Sequence, residues 1–317
     1  MALDKVENGR NVHGLLQQEL LEGLQARERN INPKFFYDVR GSELFSAICE
    51  LPEYYPTRTE IGIFKTHGAS IAASIGPDCE LLEPGAGGCE KVRYLITDLQ
   101  PAAYMPLDIS GDYLLAAAGE LRESFPGLQV LPLVADFSVE FEWPEIGADG
   151  RRVLFYPGST IGNFEPEAAR SFLRRVAALV GSGGGLLIGV DLHKDSAVLN
   201  AAYNDSLGVT ADFNRNILHH ANSLLDGDLQ PELFEHLAFY NEAERRIEMH
   251  LECSQDHAAH CGGEQLEFVA GERIHTEYSY KYSLDDFKRL AASAGFTPRA
   301  TWVDEQDWFS VQYFEVD

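Results

Sequence analysis

Residues 80–91, ELLEPGAGGCEK, are the stretch of the chain that most directly indicates its fold. Leu81 and Leu82 form an apolar run that is too short for a helix and is closed by Pro84, so the run predicts a buried strand. The chain then breaks into GAGG at 85–88, and residues 90–95 can begin a helix. In α/β proteins, nucleotide-like ligands bind where a strand passes through a glycine loop into a helix, because glycines let the backbone approach the ligand and the helix N-terminus offers N–H groups.

The glycine spacing argues against one ligand class and favours another. The dinucleotide fingerprint GxGxxG needs a glycine at position 90, which is Glu90. An acid at the strand end, Glu83, followed by GxGG resembles the S-adenosylmethionine loop of Rossmann-like methyltransferases. A plain glycine turn between a strand and a helix explains the loop about as well, so the loop alone does not decide the ligand.

Composition limits the possible partners. The 317 residues are 45% hydrophobic and 24% charged, which is ordinary for a globular protein of one large domain or two smaller ones. The formal net charge of −25 disfavours nucleic acid and anionic membrane surfaces as partners. Five scattered cysteines indicate reduced thiols, and the N-terminus carries no apolar signal segment. With no apolar run near the roughly 18 residues of a membrane span, we expect a cytoplasmic protein.

Strands and helices alternate through the middle of the chain. This alternation predicts a parallel sheet with ligands at the carboxyl ends of the strands. After the first strand, further strands are expected at 102–107, 128–134, 153–156 and 186–190, with helices after Ser110 and over 166–180.

The pattern differs at both ends of this region. The N-terminal part predicts an amphipathic helix over 14–27 and a second helix from Ser42 to Ile48. After Leu192 the alternation stops, and a helix over 197–203 precedes strands at 247–253, 266–269 and 273–282. A capping box at Ser283 then begins a helix, and strands at 299–303 and 309–316 form a final antiparallel pair.

These changes predict the domain organisation. Residues 1–58 form an N-terminal arm, and 59–193 form a Rossmann-like core. Residues 194–282 are an insertion or second domain, and 283–317 complete the core. The predicted fold class is therefore α/β, a Rossmann-like sheet with a second α+β domain.

Polar residues stand at three predicted strand ends. Asp108 lies about 20 residues beyond the glycine loop, where an acid accepts hydrogen bonds from ribose hydroxyls, although it could also stabilise the dipole of the next helix. Asp136 and Phe137 follow the next strand, where a carboxylate binds an adenine amino group and an aromatic ring covers the base; a turn acid beside a core ring is the alternative. Asn163 can hold a carboxylate or cap the following helix.

One histidine- and cysteine-rich stretch raises the question of a metal. Cys253, His257, His260 and Cys261 match no standard zinc spacing, and polar residues flank them. We therefore expect a solvated hairpin loop there and assign no metal.

Several stretches together resemble the histidine-specific N-alpha-methyltransferases of ergothioneine biosynthesis, from about Lys34 to the C-terminus. Besides the Gly85 loop with Glu90-Lys91, they are YDVRGSELFSAICELPEYYPTRTE (37–60), GSTIGNF (158–164), YNDSLGVTADFNRN (203–216), ERRIEMHL (244–251) and HTEYSYKY (275–282). The resemblance implies a class I methyltransferase sheet and a substrate domain built from the arm and the insertion. It also implies three methyl transfers from S-adenosylmethionine to the α-amino group of L-histidine, giving hercynine. The protein would be a monomer.

The resemblance also assigns residues by motif. Asn163 and Tyr203 would hold the substrate carboxylate, and Glu277 and Ser279 the imidazole. Four further substrate-binding residues are implied: Tyr54 beside the imidazole, Met249 packed on the ring, and Tyr37 and Phe45 around the amine. The implied cofactor-binding residues are Gly85, Lys91, Asp108, Asp136 and Phe137.

Methyl transfer to an amine is an in-line displacement that depends on alignment, so we expect no strong general base. Tyr37 is the residue expected to orient the amine, and tyrosines can stabilise a methylated ammonium by cation–π contact. Pro84 and Cys89 depart from the family's usual loop, although Lys91 is retained.

Three alternatives are weaker. Tryptophan or a derivative could replace histidine, but an indole pocket gains nothing from a buried acid such as Glu277. Glu90 argues against a nicotinamide-dependent oxidoreductase. The pairing of a cofactor loop with a polar acceptor site argues against a non-catalytic binding module.

Overall fold

The computed structural model describes residues 9–135, 137 and 150–317, and within them the chain divides into two compact units. The first, here called the sheet unit, comprises Tyr54–Ser196, Glu242–Arg246 and Ser279–Asp317. The second, here called the arm unit, comprises the N-terminal segment up to Glu53 together with Ala197–Asn241 and Ile247–Tyr278.

The helices run throughout the described chain. In chain order they are α1 (Gly9–Gln25), α2 (Val39–Cys49), α3 (Tyr55–Ile75), α4 (Arg93–Leu99), α5 (Gly111–Ser124), α6 (Pro166–Val180), α7 (Ser196–Tyr203), α8 (Val209–Leu225) and α9 (Leu284–Ser293), with 3₁₀ turns at Pro33–Phe36, Thr160–Asn163 and Pro231–Leu233. None of these helices is both long and apolar enough to cross a lipid bilayer.

The strands build three sheets within the described residues. They are β1 (Glu80–Pro84), β2 (Ala103–Asp108), β3 (Gln129–Val130), β4 (Leu133–Val134), β5 (Arg152–Tyr156), β6 (Gly185–Asp191), β7 (Phe234–Asn241), β8 (Arg246–Cys253), β9 (His257–Cys261), β10 (Glu264–Phe268), β11 (Arg273–Tyr280), β12 (Phe296–Val303) and β13 (Phe309–Val316).

The large sheet confirms the predicted α/β class. Its order is β12-β13-β6-β5-β1-β2-β3, with β4 also paired to β2. The pairs from β6 through β5 and β1 to β2, β3 and β4 are parallel, whereas β13 runs antiparallel to both β6 and β12. Parallel strands place their carboxyl ends at one edge, so the loops after β1, β2 and β5 emerge side by side.

The sheet is covered by apolar helix faces. Ile63, Phe64 and Ile71 of α3 belong to one buried cluster with Leu81 of β1 and Phe155 of β5. All residues of β1 and β6 are buried, as expected for central strands covered on both faces. This buried scaffold fixes the positions of the strand-end loops.

Two predicted helix starts were wrong because of local backbone geometry. Helix α2 begins at Val39 rather than after Ser42, since the Asp38 carboxylate accepts the Gly41 N–H at 2.7 Å and caps it. Helix α4 begins at Arg93 rather than at Glu90, because the residues before it form tighter turns, in which the Tyr94 N–H donates to the Lys91 carbonyl at 3.2 Å.

The other differences concern strands. The strand predicted over 128–134 is two short strands, β3 and β4. The stretch expected as a solvated hairpin loop contains strand β9, which pairs antiparallel with β10 and buries Cys261. The polar FNRN segment lies inside α8, and β7 was not predicted. Both β7 and β9 have alternation too weak for a sequence pattern to reveal.

Candidate functional site

The glycine loop is held open at the carboxyl edge of the sheet. The Gly85 and Ala86 N–H groups donate to the Leu107 carbonyl at 2.7 and 3.1 Å, which ties the loop to the end of β2. Gly85 and Gly87 have φ values of +72° and +50°, a conformation that glycine adopts without strain. A side chain at Gly85 would also lie 3.4 Å from the Phe137 ring, so Phe137 borders the loop closely.

Asp108 braces this loop from the next strand. One carboxylate oxygen accepts the Gly87 N–H at 2.9 Å, and the other accepts the Ser110 N–H at 2.9 Å. Ser110 occupies the N-cap position of α5 without a side-chain cap hydrogen bond. Thus Gly85, Asp108 and Phe137 come together, whereas Asp136 lies outside the described residues.

Glu83 is a buried acid directly before the loop. It is 3% exposed, and its carboxyl group accepts a hydrogen bond from the Tyr104 hydroxyl at 2.6 Å. Burial raises the pKa of Glu83 to about 8, although the Tyr104 hydrogen bond and the Lys91 ammonium oppose the shift. The side chain is therefore largely protonated at neutral pH, and its hydrogen bond with Tyr104 links β1 to β2.

Lys91 is paired with Glu60, a residue that was not predicted from the sequence. Its Nζ forms an ion pair at 2.7 Å with Glu60 of α3, whose side chain is fully buried. The Glu60 oxygens also accept the Gly158 N–H at 2.9 and 3.0 Å. Glu60 was missed because, in sequence, it is one acid within an ordinary helix.

The loop after β5 carries Asn163 at the end of its 3₁₀ turn. Gly162 lies against β11, so close that a side chain there would be 2.8 Å from the Tyr280 carbonyl oxygen. Asn163 therefore directly follows a residue that packs against the end of β11, the strand that contains Ser279. Asn163 is half-buried and Ser279 is 4% exposed.

A buried charge cluster supports Ser279. Lys281 Nζ donates to the Ser279 hydroxyl at 2.8 Å and pairs with Asp191 at 2.7 Å. Lys194 pairs with the same carboxylate, which also accepts the Tyr55 hydroxyl at 2.7 Å. Burial alone would raise the pKa of Asp191, but the Lys281 and Lys194 ammonium groups hold it below its usual value. Burial lowers the pKa of Lys194 to about 8.

In the arm unit, Tyr37 and Phe45 are brought together by an aromatic residue of the FNRN segment. The Tyr37 and Phe45 ring centroids are 5.7 Å apart, and each lies 6.0 Å from the Phe213 centroid. Asn216 of the same helix donates to Asp38 at 2.8 Å, which anchors the residue next to Tyr37. The FNRN segment therefore positions the predicted amine-site aromatics, although its own residues were not among the predicted site residues.

The remaining arm-unit residues lie around a buried polar network. Asn214 donates to His236 Nδ1 at 2.9 Å, so His236 Nε2–H donates to the Tyr203 carbonyl, also at 2.9 Å. Burial lowers the pKa of His236, consistent with a neutral ring. The Thr276 hydroxyl donates to Asn214 Oδ1 at 2.7 Å and lies 3.1 Å from the Met249 carbonyl oxygen, a second acceptor for the same hydrogen.

Glu277 and Ser279 share one face of β11. Side chains two positions apart on a strand point to the same side, and both are buried, at 9% and 4% exposure. Met249 is 1% exposed on β8, the strand beside β11. Tyr54 is half-buried at the start of α3, in the sheet unit.

No cluster suited to holding a metal ion is found among the described residues. Cys253 Sγ lies 3.5 Å from His257 Nδ1, and burial raises the pKa of the Cys253 thiol. The ring centroids of His257 and Phe268 are 5.1 Å apart, so this histidine stacks on its partner across the β9–β10 hairpin.

Comparison with known proteins adds independent information. A family described as "Histidine-specific methyltransferase, SAM-dependent" matches residues 16–316. The chain is 38% identical over 305 residues to a histidine N-alpha-methyltransferase of Mycobacterium tuberculosis, covering 94% of each chain. It is 30% identical over 296 residues to ergothioneine biosynthesis protein 1 of Neurospora crassa, covering 87% of this chain and 32% of that protein. It is 29% identical over 325 residues to a 4-dimethylallyltryptophan N-methyltransferase of Claviceps purpurea, covering 93% of each.

Proposed function

Because the chain belongs to the histidine-specific, S-adenosylmethionine-dependent methyltransferase family, we propose that it methylates the α-amino group of L-histidine three times. The product is hercynine, an intermediate for ergothioneine biosynthesis. S-adenosylmethionine is the methyl donor, and the mono- and dimethyl forms of histidine are intermediates. We further propose that the enzyme acts as a monomer in the cytoplasm.

The observation that carries the substrate assignment is the placement of Glu277 and Ser279 on one face of β11, both buried. An ionised carboxylate accepts hydrogen bonds through both oxygens, and an imidazole N–H is a suitable donor to it. Lys281 donates to the Ser279 oxygen, so the Ser279 hydroxyl can direct its own hydrogen to an acceptor such as the second imidazole nitrogen. Glu277 as the acceptor and Ser279 as the donor together match a neutral imidazole, which has one N–H and one acceptor nitrogen.

The other residues have distinct proposed roles. Asn163 and Tyr203 bind the substrate carboxylate, Tyr54 lies beside the imidazole, and Met249 packs on it. Tyr37 and Phe45 surround the amine, and Tyr37 orients it. Five residues bind the methyl donor in this proposal: Gly85, Lys91, Asp108, Asp136 and Phe137.

The proposed chemistry is an in-line displacement. The neutral amine donates its lone pair to the methyl carbon, the carbon–sulfur bond breaks, and its electron pair returns to sulfur. The nitrogen must lose a proton to solvent before each of the next two transfers, and the third leaves a quaternary ammonium. The protein contributes alignment, and the half-buried Tyr37 and Phe45 rings stabilise the growing cation.

The test is calorimetric titration of histidine, N,N-dimethylhistidine and tryptophan into protein saturated with S-adenosylhomocysteine. We expect both histidines to bind and Glu277→Ala to weaken them by about ten- to a hundredfold, the usual cost of losing a hydrogen bond to a charged group.

The matched control is Glu248→Ala. Glu248 is also a buried acid, 8% exposed, and accepts a hydrogen bond from Asn241 at 3.0 Å. Because Glu248 is not one of the proposed substrate-binding residues, we expect its removal to leave histidine affinity within about twofold. Binding of tryptophan instead, unaffected by Glu277→Ala, would overturn the substrate assignment and leave a methyltransferase of another amine.

A further inference from the structure

Two loops of the sheet unit meet at a single buried carboxylate. We name residues Gly85–Lys91 the donor loop and Pro157–Asn163 the acceptor loop. They follow β1 and β5, which pair in parallel, so both loops leave the sheet at the same edge. The Glu60 side chain, with no exposed surface, binds Lys91 of the donor loop at 2.7 Å and the Gly158 N–H of the acceptor loop at 2.9 Å.

The neighbouring strand leaves space for this carboxylate. A side chain at Gly189 of β6 would place its Cβ 2.0 Å from Glu60 Oε1. Glycine at 189 therefore belongs to the same arrangement, because any larger residue would displace the Glu60 carboxylate.

The acceptor loop depends on the bond to Glu60. Gly158 and Ser159 both have left-handed backbones, with φ values of +80° and +56°. For a residue other than glycine such a conformation is costly and must be held by its surroundings. The hydrogen bonds that hold it here include those from the Gly158 N–H to the Glu60 oxygens and from the Asp191 N–H to the Ser159 hydroxyl at 2.9 Å.

The Lys91 ammonium completes the link. A side chain at Gly158 would lie 3.0 Å from Lys91 Nζ, so Lys91 lies directly against the acceptor loop. A buried carboxylate is stable only while its charge is paired and its oxygens are hydrogen-bonded. Displacement of Lys91 therefore disturbs Glu60, and with it the bond that holds Gly158.

We infer that Glu60 is a positioning residue that couples the two loops, so that the methyl donor and the amine substrate bind cooperatively. The inference rests on the proposed function. An ordered donor loop fixes Lys91, Lys91 fixes the Glu60 carboxylate, and Glu60 fixes the backbone that leads to Asn163. A stabilising ion pair without this role would change the melting temperature but not the coupling between ligands.

The experiment measures histidine affinity by calorimetry with and without saturating S-adenosylhomocysteine. The ratio of the two dissociation constants is the coupling factor, and for the wild type we expect at least about fivefold. In Glu60→Gln, which keeps an oxygen for Gly158 but loses the charge for Lys91, we expect a factor within about twofold of one. Thermal melting of each variant confirms that it is folded.

Four further variants sharpen the test. Lys91→Met should lower the coupling factor as Glu60→Gln does, and the double variant should be no worse than either single one, since both changes break the same link. Gly189→Ala should reproduce the loss by displacing the carboxylate. Glu80→Gln is the control, because Glu80 is also a buried acid, paired with Arg152 at 3.3 Å at the opposite end of β1.

The outcomes separate the two proposals. Loss of coupling in Glu60→Gln with coupling retained in Glu80→Gln supports the inference. Unchanged coupling in Glu60→Gln, or no coupling in a wild type that binds both ligands, overturns the inference and leaves the proposed function intact. A wild type that binds the donor analogue but not histidine overturns both.

Discussion

Glu83 illustrates at the residue scale how burial controls a charge beside the donor loop. Its carboxyl group is enclosed at the end of β1, and its pKa is raised from 4.5 to about 8. At a pH between these values, the unfolded chain has released the proton and the folded protein retains it. Stability therefore falls as the pH rises through this window, because the folded state binds more protons than the unfolded state.

Replacing Glu83 with glutamine should remove this pH dependence. Glutamine keeps an oxygen for the Tyr104 hydroxyl but does not ionise. At pH 5 we expect similar free energies of unfolding for Glu83→Gln and the wild type, and at pH 8 a variant that is more stable by on the order of a few kcal/mol. Urea unfolding across this range measures the difference, and a gap that is constant with pH would contradict the shifted pKa.

At the element scale, helix α9 begins with the serine N-cap of the predicted capping box. The Ser283 hydroxyl accepts the Asp286 N–H at 3.1 Å and donates to the Asp286 carboxylate at 2.6 Å. These bonds hold the Asp286 carboxylate close to the hydroxyl and lower its pKa. The local signal was sufficient here because the cap involves residues only three apart.

Ser283→Ala should lower the free energy of unfolding by about 1 kcal/mol, the usual value of an N-cap serine. Ser46→Ala is a suitable control, because Ser46 is an exposed serine within α2 whose hydroxyl bonds only the Ser42 carbonyl among the contacts described, and we expect a change within about 0.5 kcal/mol. Equal losses in the two variants, measured by denaturant titration, would show that the cap contributes nothing.

At the scale of the whole molecule, the net charge of −25 is the dominant property. Like charges repel more strongly in the compact folded state than in the expanded unfolded chain, so they reduce stability. Salt screens this repulsion, and the screening length falls from about 20 Å to about 7 Å as the salt concentration rises from about 0.02 M to about 0.2 M.

The melting temperature should therefore rise with salt over this range, by on the order of a few degrees. Sodium chloride and potassium chloride should act alike, since the effect depends on ionic strength. A melting temperature that falls as either salt is added would indicate that specific ion pairs, such as Lys91 with Glu60, outweigh the general repulsion.

The sequence alone determined the features that depend on neighbouring residues. The apolar run at Leu81 and Leu82 predicted β1, and the periodic face of 166–180 predicted α6 with its observed bounds. The strand–glycine–helix order and the family resemblance predicted the donor loop and the class of reaction. These signals are local because strand and helix periodicity, turns and caps involve residues only a few positions apart.

Only the tertiary structure revealed the residues that hold the strand-end loops in place. Glu60 and Gly158 are 98 positions apart, and Lys281 reaches Asp191 across a similar separation, so no local pattern links them. The need for glycine at 189 becomes clear only in the folded protein, where a Cβ at this position would lie 2.0 Å from Glu60 Oε1. Burial and ion pairing arise between distant segments, and they therefore become visible only when the chain is folded.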